Sequence, residues 1–293
     1  MSLPLPFSSV AVIGPGLLGG SVAMAVRAQL PSCHVRLWAR RAAPLELATR
    51  MGIADVVTQN LQEAVRGAQL VILATPIGTF ADLAQAMLPA LAPKAVVTDV
   101  GSVKAVVHET VGALLAARGI SFIGSHPMAG AEKQGLEHAR ADLLQGATVA
   151  LTNPHAVPED QVSRLAEFWR MLGAHPCEMQ PEQHDQAVAR ISHVPHVLAA
   201  LCARCATAGE VPTEDLQRLA SSGFRDTTRV SSGGSAMWAD ILWGNAPAIR
   251  QALADSVSDL QTLLNLLERQ DKDALCSWLE QARLSREQVQ QGR

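Results

Sequence analysis

Val10-Ala11-Val12-Ile13-Gly14-Pro15-Gly16-Leu17-Leu18-Gly19 is the stretch that decides the fold of this chain. Four consecutive apolar residues read as a short buried strand. They run straight into Gly-x-Gly-x-x-Gly, and an Ala- and Val-rich segment, residues 20–30, follows with the look of a helix. A glycine triplet alone is a weak signal. One that closes a strand and opens a helix reads as a dinucleotide-binding turn. Gly14 allows the tight turn, Gly16 lets the backbone approach a pyrophosphate, and Gly19 permits close helix packing. The N-terminus of that helix offers free N–H groups and its positive dipole end to the phosphates, and Leu17 and Leu18 between the glycines join the expected cofactor-binding residues.

Outward from this turn, strand-like and helix-like segments alternate. Apolar strand-like runs recur at residues 34–38, 70–74, 95–99, 121–124 and 148–151. Ala- and Leu-rich helical segments, such as residues 61–67 and 80–91, lie between them. Such alternation predicts an α/β fold, a Rossmann-type doubly wound parallel sheet with helices on both faces. Residues 159–172 and 175–179 add a last helix and strand. After Pro181 the strand signals stop, and residues 182–208, 213–221, 246–268 and 272–290 all read as helices. The sequence therefore predicts a dinucleotide-binding domain over residues 1–180 and an all-helical domain over 181–293. The helical half is unusually apolar for its size, as in Leu263-Leu264-Asn265-Leu266-Leu267. Wide apolar helix faces need burial, and a two-fold homodimer supplies it.

The second strand bears on the nucleotide. An NAD site usually carries an acid about 20 residues beyond the glycines, to hold the ribose diol. Here that place holds Ala39, followed by Arg40 and Arg41. No carboxylate is there to repel a 2′-phosphate, and arginine suits phosphate geometry. NADP is the expected cofactor, with NAD the alternative. Thr75, just past the 70–74 run, joins the expected cofactor set.

A second informative stretch is Gly124-Ser125-His126-Pro127-Met128-Ala129-Gly130-Ala131-Glu132. His126 follows the apolar residues 120–123 and precedes a proline and a glycine-bracketed loop, which predicts an imidazole held at the end of a strand. Together with a dinucleotide fold, this points to redox chemistry in which the histidine moves a proton and the cofactor takes a hydride.

Composition narrows the partners. The chain has 293 residues, 48% of them hydrophobic, with a formal net charge of -3. It has no cluster of Lys and Arg, so neither nucleic acid nor an anionic membrane is an expected partner. No apolar run reaches membrane-span length, and the first nine residues lack the pattern of a signal peptide. Five scattered cysteines fit a reducing, cytoplasmic setting. Cys202-Ala203-Arg204-Cys205 lies in an apolar helical pattern and reads as two buried helix cysteines. There is no tyrosine, so none can serve as a catalytic acid.

Six blocks in order carry a resemblance over residues 14–268. They are Gly14 to Ser21, Asp99-Val100-Gly101-Ser102-Val103-Lys104, Ser125 to Glu132, Ser192-His193-Val194-Pro195-His196, Gly223-Phe224-Arg225-Asp226-Thr227-Thr228-Arg229, and Met237-Trp238. The chain resembles the prephenate/arogenate dehydrogenase family of tyrosine biosynthesis. The resemblance implies oxidative decarboxylation, in which a cyclohexadienyl ring loses hydride from its hydroxyl-bearing carbon and CO2 leaves as the ring aromatises. It implies that His126 hydrogen-bonds that hydroxyl, with Ser102 holding the imidazole and lying near the nicotinamide. It implies that Arg229 binds a substrate carboxylate, with Glu132 and Asp226 as its ionic partners. His193, His196 and Trp238 would line the pocket. Two positions depart from the family pattern. Ala131 stands where relatives often carry threonine. Arg225 stands where some have lysine, which adds a second carboxylate binder.

His193 and His196 share one helix face but lack a third ligand for a metal. His184-Asp185 reads simply as a helix-start cap or salt bridge. A β-hydroxyacid dehydrogenase or imine reductase type is the alternative enzyme, but relatives of the first kind place a lysine on the long interdomain helix, and residues 183–208 contain none. A non-catalytic NADP-sensing protein is the alternative from another class.

Overall fold

A computed structural model describes residues 5–131 and 133–291. Six parallel strands, β1 (Ser9–Ile13), β2 (His34–Trp38), β3 (Val56–Thr58), β4 (Leu70–Leu73), β5 (Val96–Asp99) and β6 (Ser121–Phe122), form the main sheet. Their spatial order is β3-β2-β1-β4-β5-β6. The order reverses between β1 and β4, which opens a crevice beyond the carboxyl ends of those strands. The Rossmann-type fold read from the sequence is the one observed.

Burial on both faces follows from strand alternation. Val10 and Val12 of β1, with Leu70 and Ile72 of β4, join one apolar cluster that includes Val22, Val26 and Trp169. Ala11 and Ile13, with Val71 and Leu73, join the opposite cluster, around Phe80 and Met87. The helix Leu17–Gln29 covers the first face, and its N-cap is Gly16. β3, edge strand of the sheet, escapes the sequence reading because it is only three residues long and half-buried.

The chain then does something its pattern does not announce. Residues 121–124 read as one strand of the main sheet, but the structure splits them. The Ile123 N–H still donates to Val97 of β5, at 3.0 Å. The next N–H in that ladder, on Ser125, donates instead to the Asp99 side chain, at 3.0 Å. The chain leaves the sheet there and forms β7 (Gly124–Pro127). β7 pairs antiparallel with β8 (Thr148–Thr152), which pairs parallel with β9 (His175–Glu178). Only glycine fits at the crossing point. A Cβ on Gly124 would lie 2.5 Å from Thr152 Oγ1 and 2.9 Å from His108 Nε2.

Beyond β9 the described elements are helical. The segment read as one helix over 182–208 is interrupted. Pro181–Val188 is α-helical, Ala189–His193 is a wide π-turn, and Val194–Ala206 is α-helical again. The described residues up to Ala246 form one compact unit and those from Pro247 on form another. In the second unit, Asp271 caps the helix Lys272–Gln290, and the Trp278 indole donates to Asp259 at 3.0 Å. Among the described residues, no helix is long and apolar enough to cross a membrane. Cys202 and Cys205, read as buried, are both exposed on the helix Val194–Ala206, because its apolar pattern has more than one side.

Candidate active site

The glycine turn has the shape its sequence implies. Gly14 adopts φ +108, and a Cβ there would strike Thr75 and the Ala74 carbonyl. A Cβ on Gly19 would lie 2.0 Å from the Gly14 carbonyl oxygen, so turn and helix touch backbone to backbone. A Cβ on Gly16 would meet nothing within 4 Å among the described residues beyond its chain neighbours, which leaves room for a phosphate to approach the backbone. A cleft of about 790 Å³ opens there, walled by Gly14, Gly16, Thr75, Leu136 and the end of β2. Ala39, Arg40 and Arg41 all line it. Both arginines are exposed. The Arg40 carbonyl is held by Gln59 at 2.8 Å, which fixes the backbone of this turn. These residues fit a dinucleotide.

His126 is buried in β7, one residue from the end of that strand, and is paired with Ala150. Its neighbour Ser125 is held at every polar atom. The N–H donates to Asp99, the carbonyl accepts from Lys104 Nζ at 2.7 Å, and the hydroxyl meets Thr98 Oγ1 at 2.7 Å and the Trp169 indole N–H at 3.1 Å. Lys104 and Asp99 are fully buried and paired with each other. Burial pushes the Asp99 carboxyl up and the Lys104 ammonium down, and their mutual attraction opposes both shifts.

Nδ1 of His126 lies 2.8 Å from Nε2 of His184. Nδ1 of His184 lies 2.8 Å from Oδ1 of Asp185. Asp185 also accepts the backbone N–H of Lys104 at 2.8 Å and of Ala105 at 2.9 Å. Here the sequence expectation needs correction. His184 partners the His126 imidazole, whereas half-buried Ser102 makes no hydrogen bond to it among the described residues. His184 and Asp185, read as a helix-start cap or salt bridge, do pair with each other and through His184 also reach His126. Asp185 does cap a helix start, but that of Ala105–Val107, 80 residues away in sequence. No local pattern signals such a contact.

His193 and His196 extend the cluster. Asn245 donates through Nδ2 to the Asp185 carbonyl at 2.8 Å and lies 3.2 Å from His193 Nδ1. Among the described residues, His193 Nε2 is buried without a hydrogen-bond partner, as is His196 Nδ1. Trp238 stacks on His196 with ring centroids 3.5 Å apart and planes 11° from parallel. Burial, with Lys104, His184 and His193 adding to it, holds His126 well below the usual histidine range. Burial likewise lowers His193 to about 4, with Asp185 opposing. Burial thus favours the neutral form of His126, His193 and His196.

Arg225 and Arg229 are exposed. Arg225 closes on the Ala220 carbonyl at 3.2 Å, and Arg229 opens the turn Arg229–Ser232. The next residue, Val230, lends its carbonyl to His196, which ties that turn to the imidazoles. Glu132 lies outside the described residues. His108, which no motif supported, is buried against Thr152 and pushed down to about 3 by burial.

Comparison with known proteins fits this geometry. The family described as prephenate dehydrogenase, nucleotide-binding domain, matches residues 22–178, and its dimerization domain matches residues 180–281. The chain belongs to the prephenate dehydrogenase family. The cyclohexadienyl dehydrogenase of Zymomonas mobilis is 34% identical over 281 residues, which is 96% of this chain and 95% of that protein. A prephenate dehydrogenase structure from A. aeolicus, in complex with hydroxyphenyl propionate and NAD+, superposes with a TM-score of 0.89 at 28% identity, covering 99% of this chain and 100% of that one. Synechocystis arogenate dehydrogenase superposes at 0.82 with 31% identity, covering 96% and 99%. As a member of this family the chain is an oxidoreductase of the prephenate/arogenate dehydrogenase type.

Proposed function

We propose that this dehydrogenase oxidatively decarboxylates prephenate, arogenate or both, with NADP preferred over NAD. The observation that carries the reaction is the buried His126 imidazole, kept neutral and backed by His184 and Asp185. The bound cofactor supplies the hydride acceptor. As hydride leaves the ring carbon, the hydroxyl on that carbon becomes strongly acidic, and His126 takes its proton. The ring carboxylate then departs as CO2, and its bonding electrons complete the aromatic ring. His193 suits the substrate's oxygens. Asn245 Nδ2 donates, so His193 Nδ1 accepts, and the unpartnered Nε2–H is a buried donor. Arg229 is our choice for a side-chain carboxylate, with Arg225 a second cation, since guanidinium pairs bidentately with carboxylate. Trp238 closes the apolar wall over His196.

The cofactor preference rests on Ala39, Arg40 and Arg41 at the cleft rim. A charge-assisted hydrogen bond is worth roughly 1.5–3 kcal/mol, so Arg40→Ala should lower kcat/KM with NADP by about tenfold or more and leave NAD nearly unaffected. Initial rates with both cofactors, on prephenate and on arogenate, check this. A wild-type enzyme that favours NAD would overturn the preference and leave the reaction standing.

A further inference from the structure

We infer that Asp185, acting through His184, sets the tautomer of His126 and so leaves its Nε2 lone pair as the base; this rests on the reaction proposed above. The argument starts at the carboxylate. Asp185 accepts the backbone N–H groups of both Lys104 and Ala105. A carboxyl group that takes an amide hydrogen on each oxygen is placed as an acceptor at both. His184 Nδ1, 2.8 Å from Oδ1, must therefore carry its hydrogen. In a neutral imidazole the other nitrogen is then bare, so His184 Nε2 accepts. His126 Nδ1, 2.8 Å from that atom, must donate. Its hydrogen sits on Nδ1, and Nε2 is left with a lone pair.

Burial removes the alternative. His184 is 1% exposed, Asp185 4% and His126 8%, so bulk water is not at hand to bridge a reversed chain. Among the described residues, the charged or titratable groups acting on His126 are His184 from the helix Pro181–Val188, Lys104 from the segment after β5, and His193 from the π-turn, with Asp185 behind His184. Lys104 opposes protonation of His126, and Asp185 is the anion placed to offset it. When the substrate hydroxyl yields its proton to Nε2, the positive charge on His126 is shared with His184 across the Nδ1–H bond. Asp185 balances it. Asp185 and His184 are thus positioning residues, and neither needs to touch the substrate. The same logic operates in serine proteases, where amidating the carboxylate behind the histidine keeps the geometry and lowers kcat about 10⁴-fold through the wrong tautomer.

Two substitutions at one position separate this role from a structural one. His184→Gln keeps the polarity of the chain, because its carbonyl can accept from His126 while its amide donates to Asp185. His184→Leu keeps neither. The expected result is a kcat about 100-fold or more below wild type for His184→Leu, with KM for substrate and cofactor within about threefold, and recovery to within about tenfold for His184→Gln. Nitrogen-15 NMR of the free enzyme gives a readout that needs no turnover. It should show His126 protonated at Nδ1 and bare at Nε2 in the wild type and in His184→Gln, and a mixed or reversed tautomer in Asp185→Asn. Equal losses in the Gln and Leu variants, or a wild-type His126 protonated at Nε2, would overturn the assignment. A wild type with the expected tautomer that turns over neither prephenate nor arogenate would remove the proposed reaction and leave the tautomer relay intact.

Discussion

Ser125 shows how a single residue can aim the one beside it. Its amide, carbonyl and hydroxyl are each bonded, and three of the four partners, Thr98, Asp99 and Lys104, lie at or just beyond the end of β5. The next side chain along, His126, inherits that rigidity. Lys104 matters most among the partners because it neutralises a buried carboxylate. Breaking a buried ion pair from one side costs about 3–5 kcal/mol, since the other charge is left uncompensated. Lys104→Met should therefore lower unfolding stability by about that much in urea titration. A loss under about 1 kcal/mol would mean that Asp99 is neutral in the folded chain. The sequence exposed His126 and Lys104 through their motifs, but not the pairing of His126 with His184. That contact joins residues 58 positions apart, and nothing in the spacing of either segment encodes it.

At the scale of elements, strand and helix identities were legible where apolar periodicity was strong. The breaks were not. The passage from β6 to β7 depends on one side chain, Asp99, replacing a backbone carbonyl as acceptor. The π-turn Ala189–His193 leaves the apolar pattern of the flanking helices intact and so leaves no trace in it. The glycine turn is the opposite case, since each glycine has its own reason. Gly19→Ala would force a methyl against the Gly14 carbonyl and Ala74, and overpacking of this kind costs about 1–3 kcal/mol. Gly16→Ala meets no protein atom within 4 Å. Its methyl projects toward the space a pyrophosphate needs. Thermal melts should therefore fall for Gly19→Ala and stay level for Gly16→Ala. Fluorescence titration should show NADP affinity weakened about tenfold or more for Gly16→Ala. Equal melting losses in the two variants would contradict this division of roles.

For the whole molecule, the apolar surface argues for a second copy. The first compact unit exposes Leu201, Phe224 and Trp243, the last at 86%. In the second, Val257, Leu260, Leu264 and Leu267 recur at helical spacing along Ala246–Glu268 and are all exposed. Such stripes need cover, and a two-fold dimer provides it. Sedimentation at micromolar concentration should give twice the 31.0 kDa chain mass, and a species of 31.0 kDa alone would refute the dimer. The Rossmann sheet and the helical second half were legible from the alternation of apolar strand and helix patterns, and the family from six short motifs. The depth of the imidazole cluster was not, because burial is a property of the assembled fold. That burial gives the central claim its sign in pH. His126 must be neutral to accept a proton, and it is held well below the usual 6.5. Activity should hold as pH falls through the ordinary histidine range and decline only below it. The most direct test is the pH profile of kcat for wild type and His126→Asn on prephenate or arogenate. A base contributes typically 10²–10⁴-fold, so the variant should lose that much in kcat with little change in KM and should lose the acid limb. A variant with near-normal kcat, or one that keeps the wild-type acid limb, would show that His126 is not the base.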